Sequence, residues 1–216
     1  MLTMEKEEKD ILLKIRSSRA CIRDGYRLYT ANFRRIFKNT WPLALGFAIL
    51  STAASALPSL MAPTYLLPGI LLEVAAVILL LVAASRVLHK KGLLQHSGKT
   101  PVKSWMRHLG LVFVVVIVCL FIVSVLTLLT SLPATIMITA NWQSQMGVMY
   151  GDPSGMTGYV RWLSIGAFLI AGFLKAYVWL TTICPLYLTS TSIALQEKER
   201  KEYNTKKHEK SIVYRP

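Results

Sequence analysis

Acidic residues are scarce in this chain: 11 Asp and Glu stand against 25 Lys and Arg over 216 residues, a formal charge of +14. Cysteine is scarcer. Cys21, Cys119 and Cys184 are too few for a disulfide scaffold, and their spacing fits no zinc or haem pattern. A Gly-rich phosphate loop, HExxH, GxSxG and a clustered Asp pair are all missing, which removes the recognisable signatures of nucleotide, metalloprotease and serine-hydrolase chemistry. The four histidines, His89, His96, His108 and His208, are dispersed, and no carboxylate or cysteine joins His89 and His96. Charged residues amount to 17% against 53% hydrophobic, which excludes disorder as the general state. The expectation is a non-enzyme with no catalytic residue, no metal and no cofactor.

What is present is long apolar runs in a basic frame. Crossing a ~30 Å hydrocarbon core takes roughly 20 apolar residues in a helix. Four stretches meet that length: about 41–60, 66–88, 109–132 and 160–186. The basic residues fall between them in a pattern. Residues 1–40 hold ten Lys and Arg, 86–108 hold six and 196–216 hold seven, 23 of the 25 in all. The connections 61–65 and 133–159 hold none. Short basic segments stay on the cytoplasmic side, so both termini and the middle loop are expected there. The reading is an all-α integral membrane protein of the cell (inner) membrane, with four transmembrane helices behind an amphipathic interfacial helix. The first run begins only at Trp41, behind a charged segment, and is too long for a signal-peptide core.

Residues 1–40 predict that amphipathic helix. Ile22, Tyr26, Tyr29, Phe33 and Ile36 recur in steps of four and three, with arginines on or beside the other faces. A basic helix with an aromatic stripe suits a membrane interface; packing on the protein itself or on a partner is the alternative. Gly25 marks a candidate bend. Thr40 reads as an N-cap ahead of Pro42 in the first turn of span one, and Thr100-Pro101 repeats the signal before span three. Pro58, Pro63 and Pro68 predict a tight hairpin between antiparallel spans one and two. Pro133 is expected to kink or end span three, with Asn141–Tyr150 as a short outer helix and a loop from Gly151 to Gly155. Pro185 interrupts the fourth helix, and 196–216 reads as a mobile basic tail.

Small-residue pairs mark the packing faces: Ala44/Ala48 and Ser51/Ser55 in span one, Ala167/Ala171 and Gly172/Ala176 in span four. Span three, rich in Val, Leu, Ile and Phe, is expected to be the most lipid-exposed. Glu73 and Lys175 are the informative charges. Each is expensive near the membrane centre, ~2.5–3.5 kcal/mol for Asp, Lys or Arg on insertion scales. Counted from the outer ends of their spans, Glu73 lies ~10–12 Å deep and Lys175 ~20 Å deep. Helical side chains lean toward the N-terminus, so Lys175 points back toward Glu73. A buried ion pair between spans two and four is the expectation, serving either as a packing device or as a transport site; separate solvation of the two charges by lipid head groups or water is the alternative.

Arg27, Arg34, Arg35, Lys38, Lys90 and Lys91 are candidate contacts for anionic lipid head groups. Nucleic acid is not the expected partner, because the basic residues are distributed as topology determinants. The function expected is that of a non-catalytic accessory or scaffold subunit, partnered by itself or by other membrane proteins. The alternative is a small transporter or channel component working through Glu73 and Lys175.

Overall fold

A computed structural model describes residues 17–61, 63–92, 102–151 and 158–213. The described chain is helical, with no strand. In order it runs α1 (Ser18–Ala31), α2 (Phe33–Ala56), a π-helical turn (Leu57–Met61), a 3-10 turn (Pro63–Tyr65), α3 (Leu66–Lys90), α4 (Val102–Arg107), α5 (Leu109–Met149), α6 (Gly158–Leu180) and α7 (Ile183–Val213). Among the described residues four helical segments are long and apolar enough to cross a membrane: Phe33–Leu60, Leu66–Lys90, Leu109–Met149 and Gly158–Thr205. Four such segments suggest a membrane protein. The chain divides into two compact units. A central unit holds Phe33–Lys90 and Phe121–Thr182; a terminal unit holds Met1–Asn32, Lys91–Leu120 and Ile183–Pro216.

In the central unit α2 packs most extensively on α6 and on α3. Small residues make the approach possible, since helices in lipid gain from close contact rather than from hydrophobic burial. A Cβ on Gly172 of α6 would fall 3.1 Å from the Ala48 backbone of α2, and one on Gly69 of α3 would fall 2.6 Å from Ala54 O. Ala44, Ala48 and Ala176 are fully buried, so the Ala44/Ala48 and Gly172/Ala176 pairs lie in the packed interior. At the end remote from the α2–α3 turn, Phe33 and Phe37 meet Phe173 and Tyr177. Phe37 stacks on Tyr177 at 5.1 Å between centroids, and Phe173 meets Tyr177 edge-on at 5.3 Å.

In the terminal unit α1 packs on α7. Its buried residues Cys21, Gly25 and Tyr29 recur every four positions and form one stripe. Gly25 is a contact and not a bend: a Cβ there would fall 2.6 Å from Pro185 Cα. Cys21 packs with Val115 and Cys119, flanked by Ile22, Leu111 and Leu186. Arg19, Arg23 and Arg27 face outward.

Several expected boundaries are displaced. The chain breaks at Asn32, whose Nδ2 and backbone N both donate to Leu28 O, and not at Thr40. Thr40 lies fully buried inside α2 and donates back to Ile36 O at 2.8 Å, so it is no N-cap. Contacts on both sides of Pro42, the aromatic clasp before it and Ala44 after it, outweigh the local cost of the proline. Pro133 does not end span three. α5 continues for 41 residues, and the expected short helix at Asn141–Tyr150 is its last part. In the turn before Pro133 the Thr130 and Ser131 hydroxyls donate back to Leu126 O and Leu128 O. Its most apolar stretch is 17% buried, the same share as in α3, so the two spans are equally exposed.

Helix α6 stops at Leu180, inside the fourth apolar segment, where Thr181 and Thr182 close it with backbone and hydroxyl bonds to Val178 O and Trp179 O. Pro185 then sits in the first turn of α7, where its missing N–H costs nothing. The segment after residue 196, expected as a tail, is helix through Val213. Residues 1–16 of the expected amphipathic segment, the Thr100-Pro101 signal, His96 and the loop beyond Gly151 lie outside the described residues.

Candidate functional site

Two polar layers cross the central unit. The lower one joins three helices through a single oxygen. Ser51 Oγ on α2 donates to Glu73 Oε1 on α3 at 3.1 Å, and Lys175 Nζ on α6 lies 3.5 Å from the same oxygen. The structure thus brings Glu73 and Lys175 together, with side chains 27% and 16% exposed. Gly172, three residues before Lys175, has no side chain, and a Cβ there would lie 3.2 Å from Ser51 Cβ. This close approach of α6 to α2 lets Lys175 and Ser51 share the Glu73 carboxylate. The pair is loose for a charge-assisted bond, which is normally about 2.7–2.9 Å. Glu73 Oε2 is buried and meets no donor. One oxygen is therefore doubly served while the other is bare.

The upper layer surrounds the α2–α3 turn. At the π-helical turn the carbonyls of Pro58 and Ser59 accept from side chains of α5. Trp142 Nε1 donates to Pro58 O at 3.2 Å, and Gln145 Nε2 donates to Ser59 O at 2.6 Å. Ser59 Oγ donates to Ser55 O. Ser164 Oγ stands 2.9 Å from Val160 O and 3.2 Å from Asn141 Oδ1, and its one proton serves one of them at a time. Asn141 and Ser164 are both fully buried, and Asn141 Nδ2 has no acceptor. From Ser59 in the π-helical turn back to Ser51 on α2 the layers are eight residues apart, ~12 Å at helical rise. On α6, Ser164 and Lys175 are eleven residues apart, ~16 Å.

Sequence reasoning missed the upper layer because Asn141, Trp142 and Gln145 follow a proline and read as surface. The available signal was the i, i+1, i+4 spacing of those three, which places Asn141 and Gln145 one turn apart on a helix that does not stop.

The candidate head-group residues are all exposed. Arg34, Arg35 and Lys38 stand near the start of α2, Lys90 in the last turn of α3, Lys91 just beyond it, and Arg27 on the outward side of α1. His89 and Lys90 complement the negative end of the α3 dipole. Arg34 and Arg35 oppose the positive end of the α2 dipole, at ~0.3–1 kcal/mol each. Helix stability therefore does not account for the α2 cations.

Beside these layers, a groove of about 560 Å³ opens between α5 and α6, lined by apolar residues that include Met137, Trp162, Gly166 and Ile170. Among the described residues no group of three His, Cys, Asp or Glu could hold a metal ion. Comparison with known proteins returns no matching family model, no matching curated protein and no matching solved structure.

Proposed function

We propose that this protein is a multi-pass, non-catalytic accessory or scaffold subunit of a cytoplasmic-type membrane, with both termini cytoplasmic. The observation that carries the reading is how the interior polar groups are used. Ser51, Glu73 and Lys175 tie α2, α3 and α6 to one another. Trp142 and Gln145 tie α5 to the α2–α3 turn. Groups used in this way set helix register, and the apolar outer faces remain for lipid and for partner helices.

The cations at the start of α2, set against their own helix dipole, fit the positive-inside role and a surface of anionic lipid. In this reading α1 lies at the interface with its Cys21–Gly25–Tyr29 stripe on α7 and its arginines toward head groups. The partners are the bilayer, further copies of the chain or other membrane proteins. Photo-crosslinkers at Arg19 and Arg200 in native membranes test this: specific adducts with the same protein from both positions support a scaffold, and recovery of lipid adducts alone overturns it.

Glu73 Oε2 favours a second reading, a small transporter or channel component, because a buried carboxylate oxygen without a donor is costly unless something comes to it. Proton or cation flux in liposomes, present in the parent and lost in Glu73→Gln, supports transport; equal leak from both rejects it.

A further inference from the structure

We propose that Phe168 is a hydrophobic plug on a route by which water reaches the Glu73 carboxylate from the end of the central unit that carries the α2–α3 turn. The inference rests on the transport reading of Glu73 and extends it by naming a route and a gate.

Two buried groups have opposite needs. Asn141, 0% exposed, offers an amide N–H that meets no protein acceptor, and Glu73 Oε2 is an acceptor that meets no protein donor. Water satisfies both kinds of group and commonly does so in polar interiors. The side chain between them along α6 is Phe168. It follows Ser164 by four residues and precedes Lys175 by seven, ~6 Å and ~10 Å along the axis. Phe168 is 2% exposed and packs with Ala134 and Ala171, flanked by Ala56, Met137 and Ile138.

Three of those neighbours are alanines and a fourth is a flexible methionine, so few rigid side chains hold the ring in place. Withdrawal of the ring would join the Asn141–Ser164 layer to the Ser51–Glu73–Lys175 layer. In the other direction along α3 the buried face beyond Glu73 is Ala76, Leu80, Ala84 and Leu88. That face offers water no polar side chain for ~22 Å. The buried Thr40 and Tyr177 lie on that side too, but no buried polar side chain of α3 links them to Glu73, so the turn end is the side of access.

The test uses Ser51→Cys as a probe in the full chain, reconstituted in nanodiscs that leave both membrane faces open. A membrane-impermeant thiol reagent reads its accessibility, and the chain without the probe gives the background from the native cysteines. Phe168→Ala is expected to speed labelling by ~10-fold or more, as the barrier to local opening falls. Phe168→Leu, which keeps a plug, and Leu80→Ala, which opens a comparable cavity on the other side of Glu73, should label at the parent rate. If Phe168→Ala labels no faster than Phe168→Leu, or Leu80→Ala is as fast as Phe168→Ala, the route is wrong. Should Phe168→Ala fail to accumulate, Phe168→Val carries the same comparison. Fast labelling in Phe168→Ala without flux in liposomes removes the transport reading and leaves the water route standing.

Discussion

The two units solve the same packing problem with different chemistry. In the central unit polar side chains reach across helices: Ser51 to Glu73, Gln145 to Ser59 O, Trp142 to Pro58 O. In the terminal unit the buried hydroxyls of Thr189 and Thr191 donate back to Pro185 O and Leu188 O of their own helix. One polar pair also joins helices there, Arg107 with Glu197 at 3.5 Å at a partly exposed position, but the closest approach is made by shape, with Gly25 seated against Pro185. A directional contact specifies register, whereas a steric one specifies distance. Loss of a partner should therefore damage the central unit most, and added bulk should damage both.

The largest effect should come from halving the ion pair. Lys175→Met alone leaves a carboxylate in an apolar layer, as Glu73→Gln alone leaves an ammonium. Breaking a buried pair costs about 3–5 kcal/mol, and the 27% exposure of the Glu73 side chain places this one toward the lower figure. The double variant Glu73→Gln/Lys175→Met should recover most of the loss. Resistance to unfolding in SDS measures all three, and a double variant no better than the worse single one would show that the two charges are solvated separately.

Next come the glycines. Gly25→Ala and Gly69→Ala each force a Cβ to 2.6 Å from backbone atoms, an overpacking cost of about 1–3 kcal/mol. Gly46→Ala, with nothing within 4 Å, should be neutral or slightly stabilising. Thermal melts of the detergent-solubilised protein distinguish them. A melting point unchanged in Gly25→Ala would mean that α1 is not held by its contact with Pro185.

The smallest effect sharpens the contrast between the units. Ser51→Ala removes a donor from a carboxylate and should cost about 1.5 kcal/mol, while Thr189→Val loses only a bond within its own helix and should be nearly neutral. Equal losses in SDS unfolding would erase the proposed difference.

The apolar spans and the pairing of Glu73 with Lys175 were legible because a charge inside an apolar run is conspicuous and helical rise fixes its depth. Helix ends were not. Pro42 and Pro133 are local breakers of about 3 kcal/mol, yet helix runs through both, with Ala44 buried after Pro42 and Ala134 buried after Pro133. Asn32, which does end a helix, carries no comparable signal. Four hydroxyl residues in a row, Thr189 to Ser192, follow the fourth apolar run, yet Thr189, Thr191 and Ser192 are buried. Thr and Ser hydroxyls can be satisfied along a helix, so polarity there gives no guide to exposure. The Asn141–Gln145 clamp depended on α5 passing Pro133, so missing the first meant missing the second.

The length of α5 has a consequence for the surrounding lipid. Forty-one helical residues rise ~61 Å along the chain, whereas the twenty-five of α3 rise ~37 Å. In the proposed membrane setting lipid cannot match two such different helices without adjustment, by local stretching, tilt or a bend at Pro133. The proposed membrane subunit should then respond to membrane thickness, which its partition between the thicker and thinner phases of a vesicle would measure.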